Sequence, residues 1–338
     1  MNKVFVLGAG ASKDANIPLT NEIIPYLLKM KPNIAENPLR TSTASLSILQ
    51  NYLMEIKKQP VLSCYDVEDL LLLTYSVIGY PELLGWDQNK IINFRHHLLW
   101  GIIFAIEPGL GLERNIEPYR YFVDSLTLND AIITLNYDML LDYLLIEKFG
   151  AINYHLDTAL LSENNIPLHL QSGGFFFLKL HGSTNLFRCD RCNEYIILER
   201  PYAYLSEDPN LILANGKVPC PKDDGGNLWA TLIAPSQEHE PIQMVFSTTW
   251  KKSYALLSNA DDIYLIGLSF RENDFQFKHL LRASIASNLN CRISIINKTI
   301  DNPLRLRLKN MFIDREIDFI EMEFGKWVTN NQGLVRFY

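Results

Sequence analysis

No stretch of this chain carries the about 18–20 consecutive apolar residues that a helix needs to span a bilayer, so no membrane-embedded segment is expected. Positive charge is in short supply. There are 31 Lys and Arg against 38 Asp and Glu, a formal net charge of −7, which argues against a surface given over to nucleic acid. The one local basic group, Arg305, Arg307 and Lys309, reads as a solvated helix face. Cysteines are few and odd in number. Five residues with one Cys-x-x-Cys pair suit a reducing compartment better than a disulfide framework. The first residues read as a buried strand and not as a charged segment followed by an apolar one, so no secretory signal is expected and the cytoplasm is the default location. Internal repeats and low-complexity linkers are lacking as well. What is left is an ordinary globular composition, 48% hydrophobic and 20% charged over 338 residues, enough for a sizeable core.

Apolar runs bounded by turn residues mark strands at Lys3–Leu7, Ala131–Thr134, Phe175–Leu180, Trp229–Ala234, Asp262–Ile266 and Arg292–Ile296. Helical periods lie between most of them, at Asp138–Lys148, Ile242–Leu257, Asp274–Ala286 and Pro303–Met311. Strands separated by helices imply βαβ crossovers, hence an α/β fold with a Rossmann-like, mostly parallel sheet covered on both faces. Such a sheet binds its ligand beyond the carboxyl ends of its strands. Two segments interrupt the alternation. Residues 30–128 are helix-rich and read as an insertion packed beside the sheet and over the site, within a single domain spanning 1–338. Residues 185–227 are loop-rich and hold three of the five cysteines.

Four short motifs follow strand ends. Gly8-Ala9-Gly10-Ala11-Ser12 comes directly after Val4–Leu7, and Leu19–Lys29 behind it reads as a helix with Pro18 at its first turn. Glycines there let backbone N–H groups and a helix N-terminus approach a phosphate, although an ordinary tight turn has the same composition. No Gly-Lys-Ser/Thr follows, and Lys13 stands where a third glycine of a Gly-x-Gly-x-x-Gly pattern belongs. Thr134-Leu135-Asn136-Tyr137-Asp138 joins a strand to a helix, where Asn136 and Asp138 are either helix caps or site residues. Lys179-Leu180-His181-Gly182-Ser183 ends another strand, and Ile266-Gly267-Leu268-Ser269-Phe270 makes a second glycine-rich turn.

Taken in order, these motifs with Cys189-x-x-Cys192 and the strand ending at Asn297 resemble the sirtuin family of NAD-consuming proteins from residue 4 to about residue 297. The resemblance implies a phosphate loop at Gly8, Ala9, Gly10 and Ser12, and a catalytic Asn136 that holds the nicotinamide ribose and orients the nucleophile. It implies that Asp138 binds the nicotinamide carboxamide, that His181 is the general base, that Gly267 and Ser269 form the second nucleotide turn, and that Asn297 contacts the adenosine ribose. The chemistry fits those residue types. Loss of nicotinamide opens an oxocarbenium-like centre from a leaving group that is already cationic, so no acid is needed. A neutral imidazole accepts a proton near pH 7, and an asparagine positions hydroxyls and water without adding charge.

The sequence departs from protein-deacylating sirtuins at two points. Ile17–Glu22 lacks the Phe-Arg pair expected beyond the first loop, and Leu232–Gln237 replaces the Phe-Gly-Glu segment beside which an acylated peptide adds as a strand. Those departures resemble the branch of bacterial anti-phage defence that hydrolyses NAD to nicotinamide and ADP-ribose. That branch implies a cytoplasmic homo-oligomer or a separate regulatory partner such as an ATPase or helicase. The alternatives are an NAD-dependent deacylase and a non-catalytic module that senses NAD or ADP-ribose. Cys189, Cys192 and Cys220, with Asp223 where a fourth cysteine would stand, make either a zinc site or a module that has lost its metal. Cys64, Cys291, the His96-His97 pair and His239 read as structural or solvent-facing residues, with His239 nearest the expected site.

Overall fold

Val4, Val6, Ile133, Leu178, Leu265 and Ile295 face one side of a central sheet, while Phe5, Leu7, Ile132, Phe175 and Phe177 face the other, and each set belongs to its own buried apolar cluster. Strands buried on both faces need near-continuous apolar runs, and that is what the sequence supplies. The computed structural model describes residues 2–30, 40–58, 64–77, 80, 84–106, 115–157, 168–170, 173–198, 218–232, 240–271, 274–313 and 315–330.

Strand β1 (Lys3–Leu7) leads through a 3-10 segment at Ala9–Ala15 into helix α1 (Thr20–Lys29). Helices α2 (Arg40–Lys57), α3 (Val67–Ser76), α4 (Gln88–Ile106) and α5 (Glu117–Ser125) precede β2 (Ala131–Thr134). Helix α6 (Leu140–Phe149), β3 (Ile152–Asn153) and β4 (Phe175–Lys179) follow. Then come β5 (Gly182–Cys189), β6 (Tyr195–Ile197), β7 (Val218–Cys220) and β8 (Asp223–Leu232). The chain returns through α7 (Glu240–Ser258), β9 (Asp262–Ile266), α8 (Phe275–Ser287), β10 (Arg292–Asn297), α9 (Asn302–Met311), β11 (Ile317–Glu321) and α10 (Phe324–Asn330).

Seven strands form one sheet in the order β11-β10-β9-β1-β2-β4-β3, with every neighbouring pair parallel. The order reverses at β1, which pairs with β2 on one side and with β9 on the other. That reversal opens a crevice above the carboxyl ends of β1 and β9, the place where sheets of this kind hold ligands. Among the described residues no helix is long and apolar enough to cross a membrane.

Three expectations need correction. The run at Trp229–Ala234 does not join the parallel sheet. Its described part, to Leu232, is the end of β8, which pairs antiparallel with β5 and β7. The segment 185–227 is accordingly not mostly loop. Its described parts belong to a four-stranded antiparallel sheet in the order β6-β5-β8-β7. Pro18 stands before the start of α1 and not in its first turn, since Leu19 is the N-cap and its N–H is received by Glu22 Oε2 at 2.9 Å. The sequence also missed β11, a five-residue edge strand with no fully buried residue.

Candidate active site

The two glycine turns interlock. The N–H of Gly8 donates to Ile266 O at 2.9 Å, and the N–H of Gly10 donates to Gly267 O at 3.0 Å. Gly267 has φ +65°, and a Cβ on it would lie 2.2 Å from Ala11 N and 2.6 Å from Gly10 C. Only a glycine fits a backbone that is both left-handed and in contact with another backbone. The first turn is fixed from the opposite side by Tyr119 of α5, whose hydroxyl donates to Ala11 O at 2.8 Å and accepts from Ala15 N at 3.1 Å.

Asn136 reaches back across β1 to this turn. Its Nδ2 donates to Gly8 O at 3.0 Å and to Ser12 Oγ at 2.9 Å. Both amide hydrogens are thereby used, leaving the carbonyl Oδ1 to accept from a ligand hydroxyl or a water. Ser12 Oγ in turn donates to Asp138 Oδ2 at 2.9 Å, while Asp138 Oδ1 accepts Leu140 N at 3.1 Å. Asp138 thus takes the first N–H of α6 from one residue before the N-cap, which is Met139. Asn136 does not; its side chain belongs to the glycine turn.

His181 stands where β4 gives way to β5, at the seam between the two sheets. Gly182 makes the seam with φ +88°, and a Cβ on it would meet Thr231 O at 2.4 Å. The imidazole is buried, and burial pushes its pKa down to about 4, so it is neutral at pH 7. Asn297 closes the far side, its Nδ2 donating to Leu268 O at 2.9 Å.

One cavity of about 450 Å³ takes its walls from all ten residues expected to bind or act there: Gly8, Ala9, Gly10, Ser12, Asn136, Asp138, His181, Gly267, Ser269 and Asn297. They come from five strand ends, those of β1, β2, β4, β9 and β10, and span more than 280 residues of chain between Gly8 and Asn297. His239 lies outside the described residues.

The sequence reading missed two groups of side chains. Lys179, at the end of β4, is buried, and its Nζ donates to Asp138 O at 2.6 Å and to Asp142 Oδ2 at 3.1 Å. Tyr154 donates to the same Asp142. Burial raises the Asp142 carboxyl, and Lys179 opposes that rise. The signal was present, since Lys179 and Asp142 each interrupt an apolar run, and a charge in such a run needs a buried partner. The other group is Glu68, Arg271 and Asp274, which also line the cavity. Arg271 Nη1 lies 3.3 Å from Glu68 Oε2 and is bonded to Asp66. Nothing in the sequence around Glu68 separates it from the other acids of the helical segment.

The three thiols Cys189, Cys192 and Cys220 have their sulfurs within 4.8 Å of one another. Cys192 Sγ and Cys220 Sγ are 3.9 Å apart, and Cys189 Sγ accepts the N–H groups of Arg191 and Cys192 at 3.4 Å each. Burial acts to raise the Cys189 thiol, but those N–H groups together with the thiols of Cys192 and Cys220 outweigh it and hold the thiol below its ordinary value. A Cβ on Gly226 of β8 would lie 2.5 Å from Cys189 Sγ, so the glycine leaves the sulfurs room. Asp223 does not complete the set as expected; its carboxylate sits 3.3 Å from Arg191 Nη1. Three sulfurs at this spacing fit a zinc ion whose fourth ligand is another donor. Cys64 is exposed and Cys291 is buried, neither near this group.

No protein-family model matches the chain, and no curated protein matches it. Solved structures do. A Sir2 homologue in complex with NAD aligns over 99% of this chain and 89% of its own, at 14% identity and a TM-score of 0.50. A triple mutant of a Sir2 homologue in complex with 2'-O-acetyl ADP ribose aligns over 99% and 92%, at 16% identity and a TM-score of 0.48. A Sir2 complex with a p53 peptide and NAD+ aligns over 98% and 92%, at 12% identity and a TM-score of 0.47. The first of these carries the fold assignment. The chain has a Sir2-like α/β fold.

Proposed function

We propose that this chain binds NAD across the crevice at β1 and β9 and hydrolyses it to nicotinamide and ADP-ribose. The observation that carries the reading is the convergence of Asn136 and His181, from separate strand ends, on the one cavity that both glycine turns also line. The Sir2 homologue of the same fold is an NAD complex, which supports the choice of ligand.

In this reading the glycine turn faces the diphosphate with N–H groups other than those of Gly8, Gly10 and Ala11, which already donate to Ile266, Gly267 and Gly8. Each cationic side chain lining the cavity, Lys13, Arg271 and Lys298, already has a carboxylate partner, so phosphate recognition falls to the backbone. Asn297 and Ser269 hold the adenosine end, and Asp138 the nicotinamide carboxamide. Asn136 offers Oδ1 to a ribose hydroxyl and to water, which removes the cost of orienting the nucleophile. His181, neutral at pH 7, accepts a proton as the ribosyl centre opens.

The chain acts as a single unit over 1–338, with residues 30–128 as an insertion beside the sheet and 185–227 as a small cysteine module. Zinc held by Cys189, Cys192 and Cys220 would pin the two ends of that module together and take no part in the chemistry. A freely active NAD hydrolase would harm its own cell, which supports a cytoplasmic defence enzyme kept in check by self-assembly or by a partner protein such as an ATPase. The missing Phe-Gly-Glu and Phe-Arg elements favour water over an acyl-lysine as nucleophile.

The test is to incubate purified protein with NAD, with and without an acetyl-lysine peptide. Nicotinamide and ADP-ribose in equal amounts without peptide are expected. Release that depends on peptide, with acetyl-ADP-ribose as product, would make the chain a deacylase. Asn136→Ala should lose about 10²-fold or more in turnover and, with its two hydrogen bonds to the glycine turn gone, about 1–3 kcal/mol of stability.

A further inference from the structure

One wall of the cavity belongs to no strand end. Val67 and Glu68, in the first turn of α3, and Ile106, at the end of α4, face it from the helical segment between β1 and β2. The other carboxyl groups that line the cavity are engaged closely. Asp14 accepts Gly325 N at 2.6 Å, Asp138 accepts Ser12 and Leu140, Asp274 accepts Arg271 N at 3.2 Å, and Glu323 pairs with Lys298 and Lys326. Glu68 is different. Among the described residues its carboxylate has one ion pair, to Arg271 at 3.3 Å, and its side chain keeps 16% of its surface exposed.

The neighbours of Glu68 hold it in place without saturating it. Asp66 Oδ1 caps α3 by accepting the N–H groups of Glu68 and Asp69, at 2.9 and 3.1 Å, while Asp66 Oδ2 anchors Arg271. Burial lifts the Glu68 carboxyl to about 7. Arg271 opposes that rise, and Asp274, Asp66 and Asp69 add to it. Tyr137 lines the same cavity; its hydroxyl is buried within the field of Glu68, Asp274, Tyr75 and Asp66, and its ring centre is 6.4 Å from that of His181. Glu68 and His181 thus both act on the surroundings of this tyrosine, one from α3 and the other from the end of β4. An imidazole pushed to about 4 releases a proton readily at neutral pH, so the proton needs a second resting place.

We propose that Glu68 is a second acid–base residue of this cavity, the group on which the proton lost by the attacking water comes to rest. The proposal rests on the NAD-hydrolase reading above. The water oxygen bonds to the ribosyl C1′ as the bond from C1′ to the nicotinamide nitrogen breaks and its electron pair goes to that nitrogen. The water proton, accepted first by His181, passes on to the Glu68 carboxylate, which then loses it to solvent. The insertion would accordingly complete the reacting centre as well as cover it.

The experiment measures NAD cleavage by the full chain from pH 5 to 9 for wild type, Glu68→Gln, Glu68→Asp and Arg271→Gln, with melting recorded on each preparation. Wild-type kcat should rise through an ionisation near pH 7. Glu68→Gln should remove that ionisation and lower kcat by about 10²-fold or more with KM little changed, and Glu68→Asp should recover part of the loss. Arg271→Gln should move the midpoint to higher pH, because the cation that favours the carboxylate is gone. Wild-type kcat and an unaltered pH profile in Glu68→Gln would overturn the proposal and leave NAD hydrolysis standing. A folded wild type that cleaves no NAD at any pH would overturn both. Should Glu68→Gln fail to fold, the Arg271→Gln midpoint decides, and an unmoved midpoint counts against the proposal.

Discussion

Replacing Gly267 by alanine measures how tightly the two glycine turns are locked together. The comparison is Gly150→Ala. Both glycines have left-handed backbones, φ +65° at Gly267 and +74° at Gly150, so both substitutions incur the steric penalty of an L-residue there, about 1–2 kcal/mol. Around Gly150 nothing lies within 4 Å of the added Cβ, and the cost ends with that penalty. At Gly267 the Cβ would stand 2.2 Å from Ala11 N and 2.8 Å from Gly10 Cα, both backbone atoms that cannot rotate aside. The turns must separate, which sacrifices the Gly10 N–H bond to Gly267 O at 3.0 Å. That bond is worth about 1 kcal/mol, and overpacking of this kind adds about 1–3 kcal/mol. Gly267→Ala should therefore be about 2–4 kcal/mol less stable than Gly150→Ala. With about 2.1 cal/mol/K of unfolding entropy per residue over 338 residues, that excess lowers Tm by about 3–6 °C. Calorimetry gives the melting temperatures, and titration with NAD should show weakened binding in Gly267→Ala alone. Equal melting of the two variants, with equal NAD binding, would refute the interlock.

Lys179→Met should destabilise the chain by about 3–5 kcal/mol in denaturant titrations, because it leaves Asp142 buried without its cation, and adding Asp142→Leu should restore much of the loss. His181 carries the opposite kind of signature. Its pKa is about 4 in the folded chain against an ordinary 6.5, so the unfolded chain binds more protons between those values. The resulting stability is complete above pH 6.5 and lost as pH falls through 4, about 3 kcal/mol in all, and His181→Gln should flatten that loss when unfolding is compared at pH 7 and pH 4.5. The same variant should lower NAD turnover by about 10²–10⁴-fold. Metal analysis should find about one zinc per chain, and Cys189→Ser should lose both the metal and part of the stability. No metal and an unchanged melt would leave the thiols a structural remnant.

The alternation of short apolar runs with helical periods was enough to foretell a parallel sheet with helices on both faces, because burial on both sides demands that pattern and little else produces it. The site motifs were legible for a related reason. A strand end in such a sheet is where the chain turns, so Gly8, Asn136, His181 and Gly267 are marked by turn chemistry as well as by position. The small antiparallel sheet escaped notice, since β6 and β7 have three residues each and β5 reads as continuous with the motif before it. Tertiary structure alone decided that Asn136 belongs to the glycine turn and not to α6, because its partners Gly8 and Ser12 lie more than 120 residues away in the chain. It alone turned Asp223 toward Arg191, and it alone set Glu68 in the cavity wall. Charges on a solvated helix and charges on a cavity face have the same local sequence. Which of them is desolvated depends on what packs against the helix, and that is fixed only when distant elements meet.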